Sequence, residues 1–133
     1  MRERKVVRVR DVMTNHFAMV DGLITIKAAL EIYKEKQVTA LLVNKRHDDD
    51  EYGILLLSDI AKKVLAQDRA PERINVYEVM TKPVVGVDPQ MDVRYCARLF
   101  DNFGLSMAPV LSNGEVMGVV GYNQIVLDGL LTD

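Results

Sequence analysis

The sequence predicts an α/β protein built from two tandem β-α-β-β-α repeats packed about a pseudo-two-fold axis. Three observations predict it. The chain is a duplication: an offset of 67 residues carries Asp11-Val12-Met13-Thr14 onto Glu78-Val79-Met80-Thr81, Val20-Asp21 onto Val87-Asp88, and Val38 through Val43 onto Leu105 through Val110. After a loop two residues longer in the first copy, the offset becomes 65, and Gly53-Ile54-Leu55 falls on Gly118-Val119-Val120. The two copies also share one helical stripe written in unlike residues. Finally, a single half is too small to bury a stable core, so the halves are expected to pack as partners.

Taken in order, residues 1–10 form a basic arm, 11–66 the first repeat, 67–76 a linker and 77–131 the second repeat. Phe17 to Val20 reads as a strand, and Asp21-Gly22 turns the chain. Thr25 is placed to cap a helix whose apolar residues Ile26, Ala29, Leu30 and Tyr33 follow i, i+3, i+4, i+7. Val93, Cys96, Ala97 and Phe100 repeat that stripe behind the cap Asp92. Ala40 to Val43 is a continuous apolar run suited to a buried strand. Tyr52 to Leu57 is the next strand, and Ser58 is expected to cap a helix carrying Ile60, Ala61, Val64 and Leu65. The second copy gives strands over Met107–Leu111 and Val116–Val120 around a Ser112-Asn113-Gly114 turn, with Asn123 as the matching cap. The polar stretch Gln67 to Arg73, holding Pro71, reads as the linker.

Composition excludes several classes. Across 133 residues the net charge is −2 and the apolar share 49%, which does not describe a polyanion-binding protein. No apolar run is long enough to span a membrane, and no apolar signal-peptide region follows Met1 to Lys5. The single cysteine, Cys96, rules out an intramolecular disulfide and suits a reducing compartment. A soluble cytoplasmic protein is expected.

The leading V-M-T of each copy, the β-α-β-β-α order, the apolar strand and the glycine at Gly53 or Gly118 together resemble a CBS-domain pair, the cystathionine β-synthase domain module. The match runs from about Arg10 to Leu130. The resemblance implies a stand-alone regulatory module with two clefts between the repeats. Such clefts take AMP, ADP, ATP or S-adenosylmethionine as regulatory ligands, with no required cofactor. It also implies a homodimer.

In ligand-binding members the segment after the glycine reads roughly G-h-h-[ST]-x-[ST]-D: hydroxyls hold phosphate, and the aspartate accepts hydrogen bonds from both ribose hydroxyls. A carboxylate suits a vicinal diol because it offers two acceptor oxygens and no donor. The first copy reads Gly53-Ile54-Leu55-Leu56-Leu57-Ser58-Asp59, with Leu56 replacing the first hydroxyl residue. The second reads Gly118-Val119-Val120-Gly121-Tyr122-Asn123-Gln124 and departs at Gly121, Asn123 and Gln124. Ser58, Asp59 and Asn123 also suit helix starts on capping grounds alone. By resemblance the first cleft takes Thr14, His16, Val20 and Ala40 with Ser58 and Asp59. The second takes Thr81, Lys82, Pro83, Val87 and Met107 with Asn123 and Gln124, Lys82 offering charge to a phosphate.

Other features point to less. Asp48 to Glu51 reads as a solvated hairpin tip, because consecutive carboxylates diverge and calcium-loop spacing is absent. Cys96 reads as a small core residue. No catalytic triad, zinc-ligand set or phosphate loop appears, so neither an enzyme nor a metal site is expected. The basic residues Arg2, Arg4, Lys5, Arg8 and Arg10, with Val7 and Val9 between them, read as a solvated terminus or an arm lying on a partner. The expected function is sensing an adenosine-containing metabolite and relaying its occupancy to an unknown effector protein. The alternative is a ligand-free scaffold for dimerisation and partner binding, with nucleic-acid binding a distant third.

Overall fold

A computed structural model describes residues 5–131. It is α/β and divides into two compact units, one made of residues 16–84 and the other of residues up to 15 together with 85–133. Arg2, Glu3 and Arg4 of the predicted arm lie outside the described residues.

The unit formed by residues 16–84 holds a three-stranded sheet. Strand β1 (Phe17–Val20) pairs in parallel with β2 (Ala40–Val43), which pairs antiparallel with β3 (Gly53–Leu55). Between β1 and β2 runs helix α2 (Ile26–Lys36), preceded by the short α1 (Val9–Val12) of the other unit. The Thr25 hydroxyl accepts from the Ala28 N–H at 3.1 Å, as a cap should. Gln37 ends the helix in a left-handed conformation, φ 52°. Ile26, Ala29 and Tyr33 of the stripe are buried among Leu41, Val43 and Leu55, while Leu30 is only partly buried at the margin. The buried Tyr33 hydroxyl donates to the Leu55 carbonyl, and burial pushes its pKa up. The strand expected over Tyr52–Leu57 is shorter, because Leu57 already opens a helix, α3 (Leu57–Ile60), continuing as a π-helical stretch Ala61–Leu65.

The other unit repeats the plan with helix α4 (Val93–Phe103) and the antiparallel pair β4 (Met107–Ser112) and β5 (Glu115–Gly121). Asp92 caps α4 by accepting from the Arg94 N–H at 2.9 Å, and Gly104 ends it at φ 64°. Asn113 and Gly114 both adopt positive φ, 54° and 78°, the pairing a tight hairpin turn demands. The opening strand expected in this copy shrinks to one parallel bridge, Val87 to Val110. Its bonds run from Val87 N–H to Pro109 C=O and from Leu111 N–H to Val87 C=O. Pro109 has no N–H to donate, so the ladder stops there; Leu42 occupies the corresponding position in the first copy.

The leading segments trade places. Ile74, Val76 and Val79, from the end of the predicted linker and the start of the second repeat, are buried in the core of residues 16–84. Val76 N–H donates to Ile24 C=O and Ile26 N–H to Ile74 C=O. Reciprocally, Val7, Val9 and Val12 lie in the core with Val93, Cys96, Phe100 and Ile125. There Val9 N–H donates to Met91 C=O and Val93 N–H to Val7 C=O. These are the same contacts under the offset of 67. The described part of the basic arm therefore buries Val7 and Val9 in a core, with Arg10 left exposed, and is not simply a solvated terminus. Likewise, the predicted linker ends in core residues.

Two motifs acquire a cause from this exchange. A Cβ added at Gly53 would lie 2.6 Å from Met80 Sδ, and one at Gly118 would lie 2.8 Å from Thr14 O and 3.3 Å from Met13 Sδ. The methionine of each V-M-T thus covers a strand glycine of the opposite repeat, at the start of β3 for Gly53 and midway along β5 for Gly118. No helix among the described residues is long and apolar enough to cross a membrane.

Candidate functional site: two strand-to-helix turns

Each unit presents one turn where the last strand enters a helix. In residues 16–84 the helix opens at Leu57, so the cap position falls on Leu56, and Ser58 sits inside the first turn. Ser58 is therefore not the cap expected of it. The reason is Asp59, whose carboxylate Oδ2 reaches back to accept from the Leu56 N–H at 3.0 Å. A carboxylate three residues into a helix satisfies a donor the helix itself leaves unpaired. The second turn does the same with an amide: Gln124 Oε1 accepts from the Gly121 N–H at 2.8 Å. Asn123 lies one residue inside the helical run that opens at Tyr122, so it is not the cap either.

The two capping groups keep different atoms in reserve. Asp59 Oδ1 has no hydrogen-bond partner among the described residues, and Asp59 is partly exposed beside an exposed Ser58. That oxygen can only accept. Once Gln124 Oε1 is engaged, its other atom is an NH2 group that can only donate. The first turn thus keeps a second, unengaged acceptor oxygen for hydroxyl donors, where the second turn keeps an amide donor. Gly121 also marks a close approach, since an added Cβ would meet Met107 Cε at 3.0 Å and Ser106 O at 3.2 Å.

The residues expected in two clefts are redistributed by the exchange of leading segments. His16, Val20, Ala40, Ser58 and Asp59 share a unit, but Thr81, Lys82 and Pro83 join them there; the Thr81 N–H and C=O exchange bonds with Ile54 at 2.9 Å. Thr14 leaves for the other unit, exchanging bonds with Val119 at 2.9 Å, beside Val87, Met107, Asn123 and Gln124. The side chains of Val20 and Val87 are buried in the two cores, and Ala40 is fully buried. His16 is exposed, and its carbonyl accepts from both the N–H and the hydroxyl of Thr39. Lys82 is paired within its unit: its ammonium lies 2.9 Å from the Asp50 carboxylate. Asp50 in turn belongs to the loop read as a solvated tip. Its side chain is buried, and bonds from Arg46 and Lys82 hold its carboxyl well below the usual carboxylate range.

Sequence reasoning missed this pair and the exchange. The second had a signal: Val7 and Val9 fall on Ile74 and Val76 under the same offset, extending the duplication upstream of Asp11. Among the described residues no cluster of His, Cys, Asp or Glu is arranged to hold a metal.

Comparison with known proteins fits this geometry. The family model for the CBS domain matches residues 9–66 and 76–127. The chain belongs to the CBS-domain family. Both matches open at a leading segment that the structure exchanges. Homoserine O-acetyltransferase of Methanosalsum zhilinae is 31% identical to this CBS chain over 121 residues, which is 90% of this chain and 23% of that protein. The chain spans less than half the length of the first curated relatives it matches, 44%, 23% and 24%. The hexameric CBS-CP12 protein from bloom-forming cyanobacteria superposes with a TM-score of 0.89 at 32% identity, over 97% of this chain and 78% of that one. A CBS domain pair in complex with 5′-methylthioadenosine and S-adenosyl-L-methionine gives 0.78 at 25% identity, over 94% and 98%.

Proposed function

We propose that this CBS chain senses an adenosine-containing metabolite and relays its occupancy to a separate effector protein. AMP, ADP, ATP and S-adenosylmethionine are the candidate ligands. The observation that carries the reading is the Asp59 carboxylate: one oxygen is fixed by the Leu56 N–H, and the other remains to accept from a ribose hydroxyl. The Leu56 bond also orients the carboxylate before any ligand arrives, which lowers the ordering cost of binding. The solved relative with 5′-methylthioadenosine and S-adenosyl-L-methionine supports an adenosine ligand here. With Leu56 in place of a hydroxyl residue, phosphate recognition would rest on Ser58 and backbone N–H groups. The turn therefore favours a ligand whose affinity comes mainly from its nucleoside. Relay requires only that the ligand prefer one of two arrangements of the protein.

A second observation favours self-association. Leu57 and Leu65 are 52% and 77% exposed, and Leu130 and Leu131 are 71% and 78% exposed, so the helix after each turn offers unpaired apolar surface. A symmetric dimer joined through this surface is the proposed state, consistent with the scaffold reading as well.

Thermal shift with each of the four ligands tests the sensor, because a ligand selective for the folded state raises its melting temperature. The expected result is a shift with at least one ligand that Asp59→Ala abolishes and Gln124→Ala leaves. No shift with any ligand, or equal losses in both variants, would leave the scaffold reading standing. Light scattering that returned 15.0 kDa at high concentration would remove the dimer.

A further inference from the structure

The duplication breaks at one loop, between β2 and β3, where the first copy is two residues longer. That loop is built and closed. The Arg46 N–H and guanidinium donate to Asp50 Oδ2 at 2.9 and 3.1 Å, and Asp50 N–H donates to the His47 carbonyl. The Lys45 ammonium stands 4.9 Å above the Tyr52 ring. Lys82 then reaches across from the exchanged segment to both oxygens of Asp50, at 2.9 Å each. The two side chains are 8% and 22% exposed, so the pair is far better shielded than an ordinary surface pair. Next to Lys82 is Thr81, whose backbone is bonded to Ile54 of β3. In the other unit the corresponding positions are Asn15, uncharged, and Glu115, exposed.

We infer that the loop of residues 44–52 is a charge latch that fastens the exchanged segment, residues 81–83, onto β3. Only the unit of residues 16–84 carries it, because Asn15 has no charge to offer Glu115. Arg46 fixes the Asp50 carboxylate in place, so the carboxylate costs little to order when Lys82 docks. Two short contacts to one ammonium make it a charge-assisted bond, stronger than a neutral one. Partial exposure of Lys82 keeps the latch responsive: added salt, or an anion drawn to the same ammonium, competes with Asp50. Releasing it would loosen the Thr81–Ile54 exchange that ties the segment to the sheet.

Amide hydrogen exchange on the full chain tests this with internal controls. In Asp50→Asn and in Lys82→Met, protection at the Ile54 and Thr81 amides should fall about three- to tenfold, the size of losing one charged hydrogen bond in a partly shielded place. The double variant should lose no more than the larger single loss, because the two groups act through one bond. The matching amides at Thr14 and Val119 should keep their protection in all three, which also reports that the protein is folded. Unchanged exchange at Ile54 and Thr81 in Lys82→Met would overturn the latch. So would additive losses in the double variant, or an equal fall at Thr14 and Val119.

Discussion

Replacing Gly53 or Gly118 with alanine separates a collision with backbone from a collision with a pliable side chain. Both glycines lack a positive φ, so alanine is compatible with the backbone at either position. At Gly118 the new methyl would meet the Thr14 carbonyl oxygen at 2.8 Å, inside the 3.4 Å where ordinary contact begins. The Thr14 backbone must then retreat by about 0.6 Å, enough to spoil the paired 2.9 Å bonds with Val119. Two such bonds contribute about 0.5 to 1.5 kcal/mol each. The stiffer unfolded chain of the alanine variant returns about 0.4 to 1 kcal/mol. The net expectation for Gly118→Ala is a loss of about 1.3 kcal/mol. At Gly53 the obstacle is Met80 Sδ at 2.6 Å, with Val43 Cβ at 3.3 Å. A thioether chain re-rotates readily, so Gly53→Ala should lose about 1 kcal/mol or less. Urea titration gives both numbers, provided the slope stays that of the wild type. A loss at Gly53→Ala equal to or larger than that at Gly118→Ala would refute the reasoning.

Three further outcomes are expected. Phe100→Ala should destabilise by about 3 to 5 kcal/mol in urea, because the ring is fully buried. Leu30→Ala, at the edge of its cluster, should lose clearly less than the full core range. A fragment of residues 16–84 should fold by circular dichroism and near-ultraviolet criteria, since it holds every residue of its core. A fragment of residues 11–66 should not, having lost Ile74, Val76 and Val79. Burial pushes the Cys96 thiol from an ordinary 9.0 up to about 11. The folded state therefore keeps this proton while the unfolded chain gives it up. Its contribution to stability is full below pH 9 and is lost as pH rises through about 11. Urea midpoints across that window should fall less steeply in Cys96→Ala than in the wild type.

The fold was legible wherever local chemistry and the duplication agreed. Thr25 and Asp92 cap as their residue types require, and the stripes through Ile26, Ala29 and Tyr33 and through Val93, Cys96 and Phe100 are the buried faces. The helix starts after the last strands were misplaced because two capping solutions compete there. Ser58 or Asn123 at the boundary can cap from its own position, but Asp59 and Gln124 cap from three residues on, so each helix opens earlier than those caps would allow. The exchange of leading segments escaped because polarity and proline in residues 67–73 announce a break. Nothing in a single copy says which sheet the following Ile74 and Val76 will join. Lys82 and Asp50 lie 32 residues apart, on a loop and a segment whose meeting depends on that exchange.

Because the two copies fold alike, each shows what the other needs for folding alone. At four matched places the acceptor is kept, as a carboxylate in both copies at Asp21 and Asp88 and at Asp11 and Glu78, and with changed chemistry at Thr25 and Asp92 and at Asp59 and Gln124. Capping is satisfied in every case, by hydroxyl, carboxylate or amide. The fold therefore accounts for the bond that Asp59 makes to Leu56, since Gln124 makes its equal to Gly121. It does not account for the second oxygen of Asp59. A partly exposed carboxylate oxygen beside a helix start, which the sister turn does without, is the one part of this pair that folding leaves unexplained and that a diol would use.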